Sequence, residues 1–144
     1  MRASPYIPDN ASELQPDGAP VITAWAGGSQ TNIIFFDSTC WWETANQNGI
    51  ALIFTNEAYN TSVAVTPADV DACYNAMLDL LEGWNDSGKF QFDLSRIYST
   101  GQSMGSMESQ QFAQETPDYY AAVASTSFYQ DYPDAHSDKP IPTY

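Results

Sequence analysis

The chain has 144 residues, 43% of them apolar, enough for one domain with a core of its own. Only 15% are charged, and 18 acidic against four basic residues (Arg2, Lys89, Arg96 and Lys139) give a net charge of −14. That balance argues against nucleic acid and against anionic membrane surfaces as partners, and no stretch is long enough to span a bilayer.

Residues 1–20 read as an irregular arm, because Pro5, Pro8, Pro16 and Pro20 alternate with the turn formers Asn10, Asp17 and Gly18. The N-terminus lacks the apolar core of a signal peptide, so none is expected in this chain. The acidic composition, poor in Lys and rich in Tyr, Trp, Asn, Ser and Thr, reads as an extracellular protein or one from a salty or acidic setting. Val21–Trp25 is a first strand, followed by the loop Ala26-Gly27-Gly28-Ser29. Asp37 or Ser38 is expected to cap a helix that runs to Asn48 and stops at Gly49. Ile50–Phe54 is a continuous apolar run, the signature of a strand buried on both faces. Thr66-Pro67-Ala68-Asp69 is a helix start, with Thr as N-cap, Pro in the first turn and an acid behind it. Val70, Cys73, Tyr74, Met77, Leu78, Leu81 and Trp84 then follow helical spacing, and Gly83 and Asn85 are expected to end the helix.

Arg96–Thr100 is a third strand, a helix is expected from about Met104 toward Gln114, and Ala121–Thr126 is a fourth strand. The segment 129–144 is rich in Asp, Pro and Tyr and reads as an irregular tail, which leaves a core domain over 21–128. The alternation of strands and helices predicts an α/β fold: a parallel sheet of about four strands with right-handed crossovers and helices on both faces.

Between the third strand and its helix lies Gly101-Gln102-Ser103-Met104-Gly105. A G-x-S-x-G sequence gains meaning from a strand before it and a helix after it. The sharp turn holds the serine hydroxyl above the sheet, and the flanking glycines let strand and helix pass too closely for a β-carbon. The helix N-terminus, with its free N–H groups and positive dipole end, favours an oxyanion forming there. Ser103 is therefore the candidate nucleophile. The competing reading is a glycine-rich turn whose serine only caps the helix.

Three segments resemble the α/β-hydrolase fold, and within it the polyhydroxyalkanoate depolymerase and feruloyl esterase group: Asp93-Leu94-Ser95-Arg96-Ile97-Tyr98, the Gly101–Gly105 turn, and Pro117-Asp118-Tyr119-Tyr120-Ala121-Ala122-Val123-Ala124. The resemblance implies a serine esterase acting through an acyl-enzyme on carboxylic esters, whether feruloyl or aryl esters or polyester chains, without cofactor or metal. It implies an oxyanion hole built from the Met104 N–H and a second donor at Gly27 or Gly28. The family's His at the start of that loop is replaced here by Ala26 or Trp25. Trp41, with Trp42 beside it, and Gln102 are candidates for contacting the substrate; the competing reading of the two tryptophans is core packing. The family's sheet also implies that the helices bearing Cys40 and Cys73 cover opposite faces, beyond the ~7 Å reach of a disulfide between α-carbons, so two free thiols are expected.

The family's acid and base follow later in the chain than the segments seen here. Lys139-Pro140-Ile141-Pro142 stands where the family leads into the strand that presents its Asp. The lone histidine, His136, lies among Asp131, Asp134 and Asp138, so His136 with Asp134 is the available substitute for the pair; otherwise His136 is a solvated loop residue. What remains corresponds to strands three to six of the family's sheet, and its two open edges predict pairing with another copy or a partner chain. Two readings therefore stand: an active esterase, and a catalytically incomplete hydrolase fragment or binding scaffold that needs a partner chain.

Overall fold

The computed structural model of the chain describes residues 3–28, 30–55, 67–127 and 140–144, with residues 3, 4, 67–71 and 73 described by their backbone. The elements in chain order are β1 (Ala3–Tyr6), α1 (Ala11–Leu14), β2 (Ala19–Trp25), α2 (Asn32–Thr39), α3 (Trp41–Asn48), β3 (Ala51–Thr55), α4 (Pro67–Asp86), β4 (Phe92–Gln102), α5 (Met104–Glu115) and β5 (Ala122–Thr126). They form a five-stranded sheet in the order β1-β3-β2-β4-β5. The four strands expected from the sequence are parallel to one another, and β1 joins them antiparallel to β3.

Register explains the layering. Val21 of β2 aligns with Ala51 of β3 and Ile97 of β4, so these side chains share one face. There they pack with Tyr74, Met77 and Leu81 of α4 and with Phe112 and Ala113 of α5. Ala24, Leu52 and Phe54 point the other way and pack with Phe35 of α2 and Ala45 of α3. Every residue of β3 is buried, as its unbroken apolar run requires. The two crossover layers put Cys40, at the α2–α3 junction, across the sheet from α4, which carries Cys73. Cys40 is an exposed free thiol.

Four expectations need correction. The arm over 1–20 is not irregular: Ala3–Tyr6 pairs with Leu52–Thr55, and Ala11–Leu14 forms a short helical turn. Proline did not prevent this because Pro5 sits on an edge strand, where one N–H is not needed by a neighbour. The helix expected from Asp37 or Ser38 begins earlier and is two helices. Thr31 caps α2, its hydroxyl accepting the Ile34 N–H at 3.2 Å, and Cys40 breaks the run in a left-handed conformation, φ 52°. Gly83 does not stop α4, which runs to Asp86. The turn back is fixed by Asn85, whose side chain accepts the Phe92 N–H at 2.7 Å and donates to the Phe92 carbonyl at 3.0 Å. Finally, the tail is not irregular throughout: Pro142–Tyr144 runs alongside β5, with the Val123 N–H donating to Pro142 O and the Tyr144 N–H to Val123 O. The sheet edges beside β3 and β5, expected to be open, therefore carry β1 and residues 142–144. The N-cap expected at Thr66 lies outside the described residues.

Candidate active site

The strand order reverses at β2. The chain leaves its C-terminal end toward α2, α3 and β3, while β4 on the other side leads into α5 and β5. Loops after adjacent parallel strands that diverge in this way leave a crevice outside the carboxyl ends of the strands. Gly27 and Gly28, after β2, and the turn Gln102–Met104 face each other there. The paired register brings Trp25 beside Gly101.

Ser103 sits between β4 and α5 with φ 55° and ψ −117°, a region that a side chain rarely occupies. Its side chain is exposed and makes no capping hydrogen bond to α5, which removes the reading of Ser103 as a helix cap. The glycines do what the spacing requires. A β-carbon on Gly101 would overlap the carbonyl of Gly105 and lie 2.9 Å from the Ser106 nitrogen; one on Gly105 would overlap the carbonyl of Trp25 and lie 2.6 Å from that of Ala26. Backbone therefore touches backbone on both sides of the serine. The Trp25 ring packs on Phe112 of α5, with centroids 4.3 Å apart, and seats the helix on β2.

The loop after β2 is held by a reciprocal pair of hydrogen bonds. The Gly27 N–H donates to Gln30 Oε1 at 2.9 Å, and the Gln30 N–H returns to the Gly27 carbonyl at 3.0 Å. The Gly27 donor is thus already engaged. The Gly28 N–H and the Met104 N–H meet no acceptor among the described residues. Gly28 faces the Met104 side chain, where an added β-carbon would lie 3.6 Å from its sulfur. Loop and elbow are therefore in contact, with one unengaged N–H on each.

Gln102 is half-buried, and its Oε1 is enclosed with no donor among the described residues. Trp41 is also half-buried. It lines an apolar groove of about 270 Å³ with Ile22, Tyr98, Ala122, Ala124 and Tyr144 on the sheet face opposite α5. His136 and Asp134 lie outside the described residues. Glu108, one turn along α5 from the elbow, is a titratable group the sequence did not single out; burial pushes its carboxyl up to about 7. Gln30, Ser106 and Thr126 also escaped notice, since their partners are set by the tertiary fold. Among the described residues, no three His, Cys, Asp or Glu side chains come together in a way that would hold a metal ion.

The Asp93–Tyr98 segment has a structural task. Asp93 accepts from the Ser95 hydroxyl at 2.6 Å and from Arg96 Nε at 2.6 Å, and these bonds hold its carboxyl below the usual carboxylate range. Arg96 then reaches the Gly18 carbonyl at 2.7 Å and Gln15 Oε1 at 3.3 Å, fastening the N-terminal segment to β4.

No family model matches the chain, and no curated protein sequence does. Solved structures do match. An acetyl xylan esterase from Aspergillus awamori superimposes with a TM-score of 0.65 at 17% identity, covering 85% of this chain and 45% of its own. A ferulic acid esterase gives 0.63 at 15%, covering 85% and 52%. A fluorophosphonate-binding serine hydrolase F from Staphylococcus aureus gives 0.62 at 18%, covering 92% and 56%. The chain thus spans about half the length of these structures. The likeness is one of fold: a partial α/β-hydrolase sheet with helices on both faces.

Proposed function

We propose that this α/β-hydrolase core hydrolyses carboxylic esters through an acyl-enzyme on Ser103. The observation that carries the reading is the Ser103 turn: an exposed hydroxyl on a strained backbone, unused as a cap, standing at the N-terminus of α5. Strain of about 1–3 kcal/mol persists where the surroundings enforce it, and it gathers at functional sites. Support also comes from the structures that share the fold, which are esterases and serine hydrolases.

In this reading Ser103 Oγ attacks the ester carbonyl, and the oxyanion is received by the Met104 and Gly28 N–H groups. Donors fixed in advance at the place where charge develops are usually the largest catalytic contribution. Gln30 engages Gly27 and holds the loop, leaving Gly28 as the donor. The Trp41 groove takes an apolar or aromatic part of the ester. The base that activates Ser103 is His136, oriented by Asp134, or a histidine contributed from outside these residues.

The deciding experiment is labelling by a fluorophosphonate probe together with hydrolysis of p-nitrophenyl acetate and butyrate. Wild type, Ser103→Ala and His136→Ala are compared. Labelling of wild type and none of Ser103→Ala is the expected result. Loss of turnover in His136→Ala assigns the base to this chain. Full turnover in that variant assigns the base elsewhere. A wild type that neither labels nor turns over leaves a hydrolase scaffold without its own chemistry.

A further inference from the structure

Ser106 lies three residues beyond the candidate nucleophile and is wholly buried, at 0% exposure. Its Oγ is 2.9 Å from the Gly101 carbonyl, lies within hydrogen-bond distance of the Thr126 carbonyl, and accepts the Thr126 N–H at 3.0 Å. A serine hydroxyl carries one proton, so it donates to one of these carbonyls at a time while accepting from Thr126. The same Thr126 carbonyl receives the Ser103 N–H at 3.0 Å. One side chain therefore joins the end of β4, the end of β5 and, through Thr126, the backbone of Ser103 itself.

Glycines at 101 and 105 permit the unusual φ of Ser103, but glycine imposes no conformation. Something must hold what they permit. The Ser103 N–H on Thr126 and the Ser106 N–H on the Ser103 carbonyl, 2.9 Å, grip the serine from either side. The Ser106 hydroxyl fixes Thr126 against Gly101 and so locks the first grip. A useful contrast lies one turn further on. Ser109 Oγ donates to the Ser106 carbonyl at 2.9 Å and meets Ser125 Oγ at 3.1 Å, joining the same helix to the same strand without touching residues 101, 103 or 126.

We propose that Ser106 is a positioning residue: its hydroxyl staples the nucleophile turn to the end of β5 and sets the backbone of Ser103 and the Met104 N–H. The effect on chemistry rests on the reading of Ser103 as nucleophile; the staple itself does not. The test compares wild type, Ser106→Ala and Ser109→Ala by amide hydrogen exchange and by the rate of fluorophosphonate labelling. Losing the staple is expected to speed exchange of the Ser103 and Thr126 amides about ten-fold, the worth of one buried hydrogen bond, and to slow labelling by a similar factor. Ser109→Ala is expected to leave both readouts near wild type even where it lowers global stability as much. Unchanged Ser103 and Thr126 exchange in Ser106→Ala, or equal effects from the two alanines, overturns the proposal. A wild type that does not label defeats the nucleophile reading, and the exchange measurement still judges the staple. Should Ser106→Ala not fold, Ser106→Cys, which keeps a weak donor and acceptor, is judged by the same two readouts against Ser109→Ala.

Discussion

At the scale of single residues, the proposed nucleophile Ser103 carries a cost in stability. Its φ of 55° suits glycine and penalises any side chain. Ser103→Gly is therefore expected to raise unfolding free energy by about 1 kcal/mol while abolishing labelling, a result read by urea titration beside the probe assay. Glu108 gives a second residue-level prediction. Burial raises its carboxyl from the ordinary 4.5 to about 7, so the folded state favours the protonated form. Its contribution is fully present below about pH 4.5 and is lost as pH rises through about 7. Wild type is expected to lose on the order of 2 kcal/mol between pH 5 and pH 8 relative to Glu108→Gln, allowing for its remaining contact with solvent. Parallel urea titrations at the two pH values check this; a constant difference between the proteins refutes it. Ser103, Gly101 and Gly105 were readable in the sequence because a tight turn writes its steric demands into adjacent positions. Ser106, Gln30 and Thr126 were not: a serine or glutamine acquires a role here only once another strand or loop supplies the partner.

Elements were legible where one local signal dominated. The buried run of β3 and the Pro67 start of α4 each pointed to one outcome. The region 31–48 did not, since Ile33-Ile34-Phe35-Phe36 suits a strand by composition and is helical in the fold. Thr31 was the missed signal, a cap placed just before that run. The break at Cys40 had no local marker, because cysteine is not a residue that favours the left-handed region. Cys40→Gly is expected to stabilise the protein by about 1 kcal/mol, the relief of left-handed strain outweighing the added freedom of the unfolded chain. Thermal unfolding of the reduced proteins checks it, and a lower melting temperature in the variant excludes strain at this junction. The edge strand β1 was missed for a different reason. Its four residues include a proline, and only pairing with β3 gives them order.

For the whole molecule, the alternation of strands and helices was enough to give a parallel sheet covered on both faces, and the reversal of strand order at β2 agrees with the family resemblance. Neither the antiparallel β1 nor the pairing of residues 142–144 with β5 followed from that alternation, since both depend on contacts distant in sequence. Charge acts at this scale as well. A net charge of −14 on a compact chain repels itself, and salt screens that repulsion. Raising NaCl from about 0.02 M to 0.5 M is expected to lift the melting temperature by roughly 3–5 °C, equivalent to about 1 kcal/mol for a chain of this size. A melting temperature that is flat or falling with salt contradicts it.

The turn at Ser103 also has a consequence in time. Gly105 rests against the carbonyl of Trp25, and the Ser103 N–H is held by Thr126, so the turn draws on β2 before it and β5 after it in the chain. During synthesis β2 emerges first and waits; the serine arrives with β4, and its last anchor only with β5. Until that strand docks, Ser103 belongs to an ordinary mobile segment. On the proposed reading of Ser103, the geometry that would make it a nucleophile is complete only when β5 has docked.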